Sequence, residues 1–423
     1  KIIQKWFEQR QRFSRHHRLT KSLKVSHSCG VDDLDPYIIQ ASISKLANIL
    51  SYIINVSLVT GTFPDKLKIA KIVPIYKSGC KSSVCNYRPI SLLPYFSKLF
   101  EKIVYIRLYH FLSANSIIND FQFGFRAGYS SYMPIMQMYD HVSQNLENNY
   151  FCIGIFFDLS KAFDTVNHEI LLNKLQYYGV RNAAFKWFES YLFNRKQYVF
   201  YKRRCSTLNK ITCGVPQGSI LGPLLFILYI NDIVHSTKFF NFFLFADDTN
   251  ALAADKNLKD LISKTNTELK LVSDWFKSNK LSLNAAKTNF IAFHKHRSTL
   301  MPAASIELFI ENSRIINVSS TKFLGVYINE FLTWDDHINN VCKKVSRNIG
   351  VLYKSSHLLS KSTLLTIYYS FIYPYFNYCN IIWCPTSKKA RRQLSTLQKR
   401  CIRVIFKAPR FASTSTFFDQ GQL

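Results

Sequence analysis

An ionised carboxylate at the apolar end of a strand is costly unless it is solvated, paired or bound to a cation. Asp158 follows the near-continuous apolar run Phe151–Phe157, and Asp247-Asp248 sits between apolar arms at 239–246 and 249–254. If the two strand tips lie side by side, these carboxylates meet. Like charges at close range raise one another's pKa unless a divalent metal neutralises them. Hard oxygen donors of this kind suit Mg²⁺, which keeps waters and substrate phosphates in its remaining positions. Taken singly, each acid is an ordinary solvated turn residue. Spacing alone does not pair the strands.

The surrounding elements have to do that. Residues 151–157 are long enough for one buried strand, and Asp158 stops it. Residues 168–178 read as a helix closed by Gly179. The arms around Asp247-Asp248 predict a hairpin with the acids at its tip. Leu258, Leu261, Ile262, Leu269, Val272, Trp275 and Phe276 share one helical face, and 281–293 returns to strand-like alternation. That order suggests a half-open sheet covered by helices on one face. Upstream, 35–58 is spaced as a helix with Gly61 and Pro64 as breakers. Residues 66–76 read as a strand ending near Pro74, KSGCKSS as a loop, and 97–113 as another helix. The first 28 residues, basic and aromatic, read as a partly ordered lead-in.

The chain has 423 residues, 48% of them hydrophobic, enough for a large core in two or three domains or subdomains. Lys plus Arg total 55 against 26 Asp plus Glu, a formal +29. Such a surplus favours a polyanionic partner, most simply nucleic acid. The abundance of Phe, Tyr, Ile, Asn and Lys, all with AT-rich codons, offers a plainer source for part of it. Ten cysteines form no CxxC pair; reduced, buried thiols inside a cell are the default reading. The first residues show no basic n-region followed by an apolar h-region and a small-residue cleavage site, so secretion is not expected. The apolar runs at 220–230 and 364–383 are too short or too interrupted for a membrane span. Opening on Lys1 suggests a piece of a longer reading frame.

Three segments occur in order: FDLSKAFD (157–164), GVPQGSILGPLLFILYINDI (214–233) and FADD (245–248). They resemble the central palm motifs of reverse transcriptases, in the form typical of non-LTR (LINE-type, jockey-like) retrotransposons. NYRPISLLP (86–94) and QFGFRAGYSS (122–131) look like the finger motifs of that family. LSLNAAKT (281–288) resembles its Lys-bearing motif, KFLGVYI (322–328) its primer grip, and SCGVDDLDPYII (28–39) its leader segment. The resemblance covers roughly residues 28 to 405, and ordered motifs are far more specific than any one alone. It implies an α+β right-hand polymerase with fingers, a ferredoxin-like palm and a helical thumb. The expected divisions are a basic lead-in at 1–27, leader and fingers at 28–150, palm and primer grip at 151–330, and a basic thumb at 331–423.

The implied activity is RNA-directed DNA synthesis on a DNA primer or target DNA. The implied partners are an RNA template, dNTPs and a ribonucleoprotein with element RNA, in nucleus and cytoplasm and away from membranes. Two Mg²⁺ ions, with Mn²⁺ as a substitute, would be held by Asp158 and Asp247, with Asp248 completing the site. Phe163 falls where the family has its sugar gate, although a plain core Phe is the ordinary alternative. Gln217 and Gly218, after Pro216, form a loop that admits the template–nucleotide pair. Gly222 and Pro223 start an apolar helix beneath the site. Arg88 and Arg126 are candidates for triphosphate or template phosphate, and Lys287 for a general acid; each could equally be a solvated surface group. Asp164 and Asn231-Asp232 read as structural. Lys343, Lys344, Arg347, Lys354, Lys361, Lys388, Lys389, Arg391, Arg392, Lys399, Arg400 and Arg403 fit a thumb gripping phosphates.

Three departures bear on finger geometry and not on the metal site. Tyr129 stands where a His or basic residue is common, Pro134 falls early in an expected helix, and Asp33 replaces a frequent Gly. A group II intron-type or telomerase-like polymerase is one rival, which the wording of FDLSKAFD and CGVPQGSILGP disfavours. A catalytically inactive, RNA-binding transposon remnant is the other, and the intact aspartates argue against it. Ahead of the leader, Glu8, His16, His17 and His27 make no carboxylate cluster, so the chain is expected to extend a supplied primer but not to nick DNA.

Overall fold

A computed structural model describes residues 27–295, 306–384, 387–414 and 417. Most of the basic lead-in, with Glu8, His16 and His17, lies outside the described residues. The first helix, α1 (Pro36–Thr60), is capped by Asp35, whose carboxylate accepts from the Tyr37 amide, and ends at Gly61. Ile39, Ile43, Ala47, Leu50, Ile54 and Leu58 form its buried stripe at helical spacing. Among the described residues it is the one helix long and apolar enough to cross a membrane by length and composition. Its buried stripe instead docks on its neighbours, with Trp187 Nε1 donating to Ser57 Oγ at 3.1 Å. Asp33, just upstream, sits at φ 50, a left-handed conformation that Asp tolerates and that explains a frequent Gly there.

Strand β1 (Ile69–Tyr76) pairs antiparallel with β2 (Tyr87–Leu92), and the KSGCKSS loop joins them. The expected strand thus starts three residues late, because Asp65–Lys68 is a 3₁₀ turn. Next come helices α2 (Tyr95–Ala114) and α3 (Tyr132–Glu147). Pro134 is the third residue of α3, where no intrahelical N–H bond is lost.

The central sheet begins with β3 (Phe151–Phe157), ending where expected. Helices α4 (His168–Tyr177) and α5 (Asn182–Leu192) lead to β4 (Lys196–Tyr201), which pairs parallel with β1 and carries the short β5 (Arg204–Cys205) and β6 (Asn209–Lys210). The apolar helix α6 (Gly222–Tyr229) is buried except at Pro223, which occupies a first-turn position that needs no N–H. Strands β7 (Asn241–Phe245) and β8 (Asp248–Asp255) form the hairpin, followed by α7 (Leu258–Ser278) and β9 (Asn289–Phe293). The last of these is shorter than the alternation at 281–293 implied, because 285–287 is a turn.

After the small hairpin β10 (Phe309–Ile310) and β11 (Ser313–Arg314), β12 (Ile316–Asn317) joins the edge of the central sheet, giving the order β12-β9-β3-β8-β7. Without β12 this is a βαββαβ unit in ferredoxin-like order. Both faces are covered, not one. Ile153, Ile155 and Phe157 pack with α6 and α7, while Cys152 and Phe156 pack with α3. That is why β3 reads as a continuous apolar run.

The hairpin β13 (Ser320–Phe323) and β14 (Val326–Asn329) precedes α8 (Asp335–Ser356). The apolar run at 364–383 is divided among α9 (Lys361–Phe371), α10 (Tyr373–Asn377) and α11 (Asn380–Trp383). Helix α12 (Lys388–Ile405) packs on α8 through Val341, Val345, Leu397 and Cys401. Lys343, Arg347, Lys354, Lys388, Lys389, Lys399 and Arg400 remain exposed on these helices. The expectation of buried thiols holds for Cys152, Cys379 and Cys401. It fails for Cys80, Cys85, Cys205, Cys213 and Cys384, which are exposed free cysteines.

Candidate active site

Register brings the acids together. Phe157 faces Thr249 across β3 and β8, so Asp158, one residue on, lies level with Asp248. Phe245 pairs with Asp248, leaving Ala246 (φ 56) and Asp247 as the turn. Asp158, Asp247 and Asp248 line one cavity of about 1010 Å³. Burial of the carboxyl first, then the charges of Asp247 and Asp158, pushes Asp248 up to about 6, although the residue as a whole is exposed. Crowding of this kind invites a cation. Among the described residues no three Asp, Glu, His or Cys side chains form a ready-made metal cage. An open set of hard oxygen donors could hold a divalent cation while leaving some of its positions to other oxygen ligands.

Neighbouring segments pin the tips. The Asp158 carbonyl accepts from Asn284 N at 2.8 Å, and its amide donates to Thr288 Oγ1 at 3.2 Å. On the other side, buried Gln122 accepts from Ala246 N at 3.1 Å and from Gly124 N at 2.7 Å. The segment around it pairs with β7, since Phe123 N donates to Leu244 O and Leu244 N to Phe121 O. The QFGF motif thus holds the hairpin tip in place. Periodicity offered no signal for that, because Gln122 meets Leu244 of β7 through an isolated bridge and belongs to no strand of its own.

Phe163 is half-buried, its ring stacked on Phe226 at 4.4 Å and met edge-on by Phe125 at 6.4 Å. It lines the cavity, as do Gln217 and Gly218. Gly218 has φ 121, and a Cβ there would lie 2.6 Å from the Ser91 carbonyl oxygen, so only glycine lets this loop approach β2. Ser91 N donates to Gln217 O at 2.8 Å in the same contact.

Asp164, read from sequence as structural, lines the cavity as well and accepts from Gln217 Nε2 at 2.9 Å. Burial raises its pKa, opposed by that hydrogen bond and by Lys161. His168 Nε2 lies 2.8 Å from Gly214 O, and burial lowers its pKa, so the neutral ring donates this bond. Neither Asp164 nor His168 was separable by sequence from ordinary motif residues. Asp232 pairs with Lys174 at 2.6 Å, in keeping with its structural reading.

The cationic candidates divide. Arg88 lines the cavity from β2, and Lys77, Lys81 and Lys161, which sequence reasoning passed over, line it too. Arg126 does not reach it. Its guanidinium donates to the Asn119 and Gln122 carbonyls at 2.9 and 3.0 Å and lies 4.0 Å from the centre of the Tyr129 ring. Those bonds shape the 119–129 loop and explain why Tyr129 is accommodated. Lys287 is exposed on the turn that pins Asp158 and is not among the lining residues.

The family model described as reverse transcriptase (RNA-dependent DNA polymerase) matches residues 75–328, which contain every one of these site residues. The chain belongs to the reverse transcriptase family. It is 29% identical, over 94% of its length, to a probable RNA-directed DNA polymerase from transposon BS of Drosophila melanogaster. Over 94% and 84% of its length it is 28% identical to the RNA-directed DNA polymerase from mobile element jockey and to the probable one from transposon X-element, both of Drosophila melanogaster. The chain spans 44%, 44% and 39% of those relatives. A telomerase structure from Candida albicans matches with TM-score 0.42 and 15% identity, over 85% of this chain and 66% of that one. The acids of this chain stand at the strand tips of its α+β sheet.

Proposed function

We propose that this chain is the polymerase part of a non-LTR retrotransposon and adds dNTPs to a primer 3′-hydroxyl on an RNA template. The observation that carries the reading is the shared cavity: Asp158, Asp247 and Asp248 on one wall, with Phe163, Gln217 and Arg88 around it. Two Mg²⁺ ions held by Asp158 and Asp247 would activate the hydroxyl and stabilise the pyrophosphate leaving group. Asp248, its carboxyl pushed up to about 6, serves the site as an accessory charge.

Lys77, Lys81 and Arg88 place positive charge where a triphosphate enters. The Phe163 ring, held against Phe226, forms a floor beneath the sugar that leaves no room for a 2′-hydroxyl. Gln217, tied to Asp164, presents a neutral amide surface to the nascent base pair. Residues 28–150 act as leader and fingers, 151–330 as palm and primer grip, and 331–423 as a thumb whose exposed lysines and arginines hold the RNA–DNA hybrid by its phosphates. Within a cell the chain works in nucleus and cytoplasm as a ribonucleoprotein with element RNA.

Primer extension on an RNA template tests this directly. Synthesis that needs Mg²⁺ or Mn²⁺ and stops with EDTA is the expected result. A purified, folded chain that binds primer–template but never extends it would refute the reading.

A further inference from the structure

Glu101 is fully buried, on α2, with no part in the chemistry described above. Burial of a carboxylate costs heavily unless donors surround it. Here they do. Oε2 accepts from Ile220 N at 2.6 Å and from Leu221 N at 3.4 Å, and Ser97 Oγ bonds Oε1 at 3.3 Å. Ile220 and Leu221 are the residues just before α6, so Glu101 satisfies amides at the start of that helix from a separate element.

The same short segment carries Gln217 and Gly218, and Ser219 Oγ stiffens it by donating to Pro216 O at 2.8 Å and accepting from Gly222 N at 2.9 Å. Behind Glu101 lies Arg195, also fully buried, which donates to Tyr191 O at 3.2 Å and whose charge favours the ionised carboxyl. Desolvation acts the other way and raises the Glu101 pKa.

We infer that Glu101 is a positioning residue for nucleotide addition: it fixes the amides of Ile220 and Leu221 and thereby sets where Gln217 and Gly218 meet the nascent base pair. The inference rests on the polymerase reading above and extends it to a side chain outside the cavity. Hydrogen bonding, rather than charge, is what the loop requires, so an amide of the same shape serves and an apolar side chain does not.

The test compares Glu101→Gln and Glu101→Leu in primer extension with single dNTPs. The Gln variant keeps an acceptor for both amides but leaves buried Arg195 without its opposing charge, so it should melt lower while its KM for dNTP stays within about twofold of wild type. The Leu variant should raise that KM roughly tenfold or more, with primer–template affinity unchanged, because the loop is displaced and the basic helices are not. In a Gln217→Ala background the Glu101→Leu effect should shrink, since both act through one loop. A purely structural role would leave the two effects additive. Should the Leu variant fail to fold, Ser97→Ala removes only the hydroxyl on Oε1 and should shift KM in the same direction by a smaller factor.

Amide exchange at Ile220 and Leu221 reads the contact without any activity, and should quicken in the Leu or Ser97 variant but not in Gln. An inactive wild-type chain with this exchange pattern would sink the polymerase reading and leave the loop contact standing. A folded Leu variant with unchanged KM, or with unchanged exchange at both amides, would overturn the inference.

Discussion

Replacing Asp158 by Asn should abolish synthesis while sparing the fold. The carboxylate stands at the end of β3, but the contacts that hold the residue are made by its backbone, to Asn284 and Thr288. Asn keeps both contacts and nearly the same volume. It also removes one of the charges that push Asp248 upward. Stability should therefore stay level or rise slightly in metal-free buffer. The loss falls on the transition state. Removing a single preorganised group that stabilises developing charge costs about 2.7–4 kcal/mol, and a metal ligand should cost at least the upper end. At about 1.36 kcal/mol per tenfold, about 4 kcal/mol is about a thousandfold in rate. Single-turnover primer extension in saturating Mg²⁺ measures this, beside thermal melting and filter binding of primer–template. Asp247→Asn should behave alike, because Asp247 is in the hairpin turn and holds no structural contact in β7 or β8. Extension within tenfold of wild type by either variant would refute the metal assignment. A thousandfold loss accompanied by a lower melting temperature and weaker binding would refute the argument that the fold is spared.

The sugar gate and a buried histidine give two further tests. Phe163→Val leaves Phe226 without its stacked partner and opens the floor of the cavity, so the ratio of kcat/KM for deoxynucleotide over ribonucleotide should fall roughly tenfold or more; an unchanged ratio would remove Phe163 from that role. His337, buried against Trp383 at 5.0 Å and accepting from Tyr327 N at 3.3 Å, has its pKa pushed down to about 4 by burial and then by Lys344. A depressed histidine adds stability that is present above its ordinary 6.5 and is lost as pH falls toward about 4, worth up to about 3 kcal/mol. Urea midpoints should drop more steeply between pH 7 and 5 in wild type than in His337→Gln, and parallel curves would count against the assignment.

Much of the palm was legible because its signals are local. The apolar run that ends at Asp158, the arms around Asp247-Asp248 and the spaced apolar face of α7 each report burial through periodicity, and each became the expected element. The motifs FDLSKAFD, GVPQGSILGP and FADD marked the site residues that the cavity then gathered: Asp158, Phe163, Gln217, Gly218, Asp247 and Asp248. Register was beyond such reading. Which residue of β3 faces Thr249 is decided by hydrogen bonds between strands nearly a hundred residues apart in the chain, and no local pattern encodes it.

The same limit explains the single charged residues. A lysine or arginine carries no periodicity of its own, so Arg126 and Lys287 looked the equals of Arg88 until packing sent one guanidinium to backbone carbonyls and left the ammonium on an exposed turn. Residue types and order thus determined the elements, the family and the acids available for chemistry. Long-range pairing alone decided that Gln122 steadies the hairpin tip, that Glu101 reaches the start of α6, and that the three aspartates share one cavity. Side-chain contacts across the chain depend on where whole elements dock, and docking is settled by the summed burial of many apolar groups rather than by any neighbouring residue.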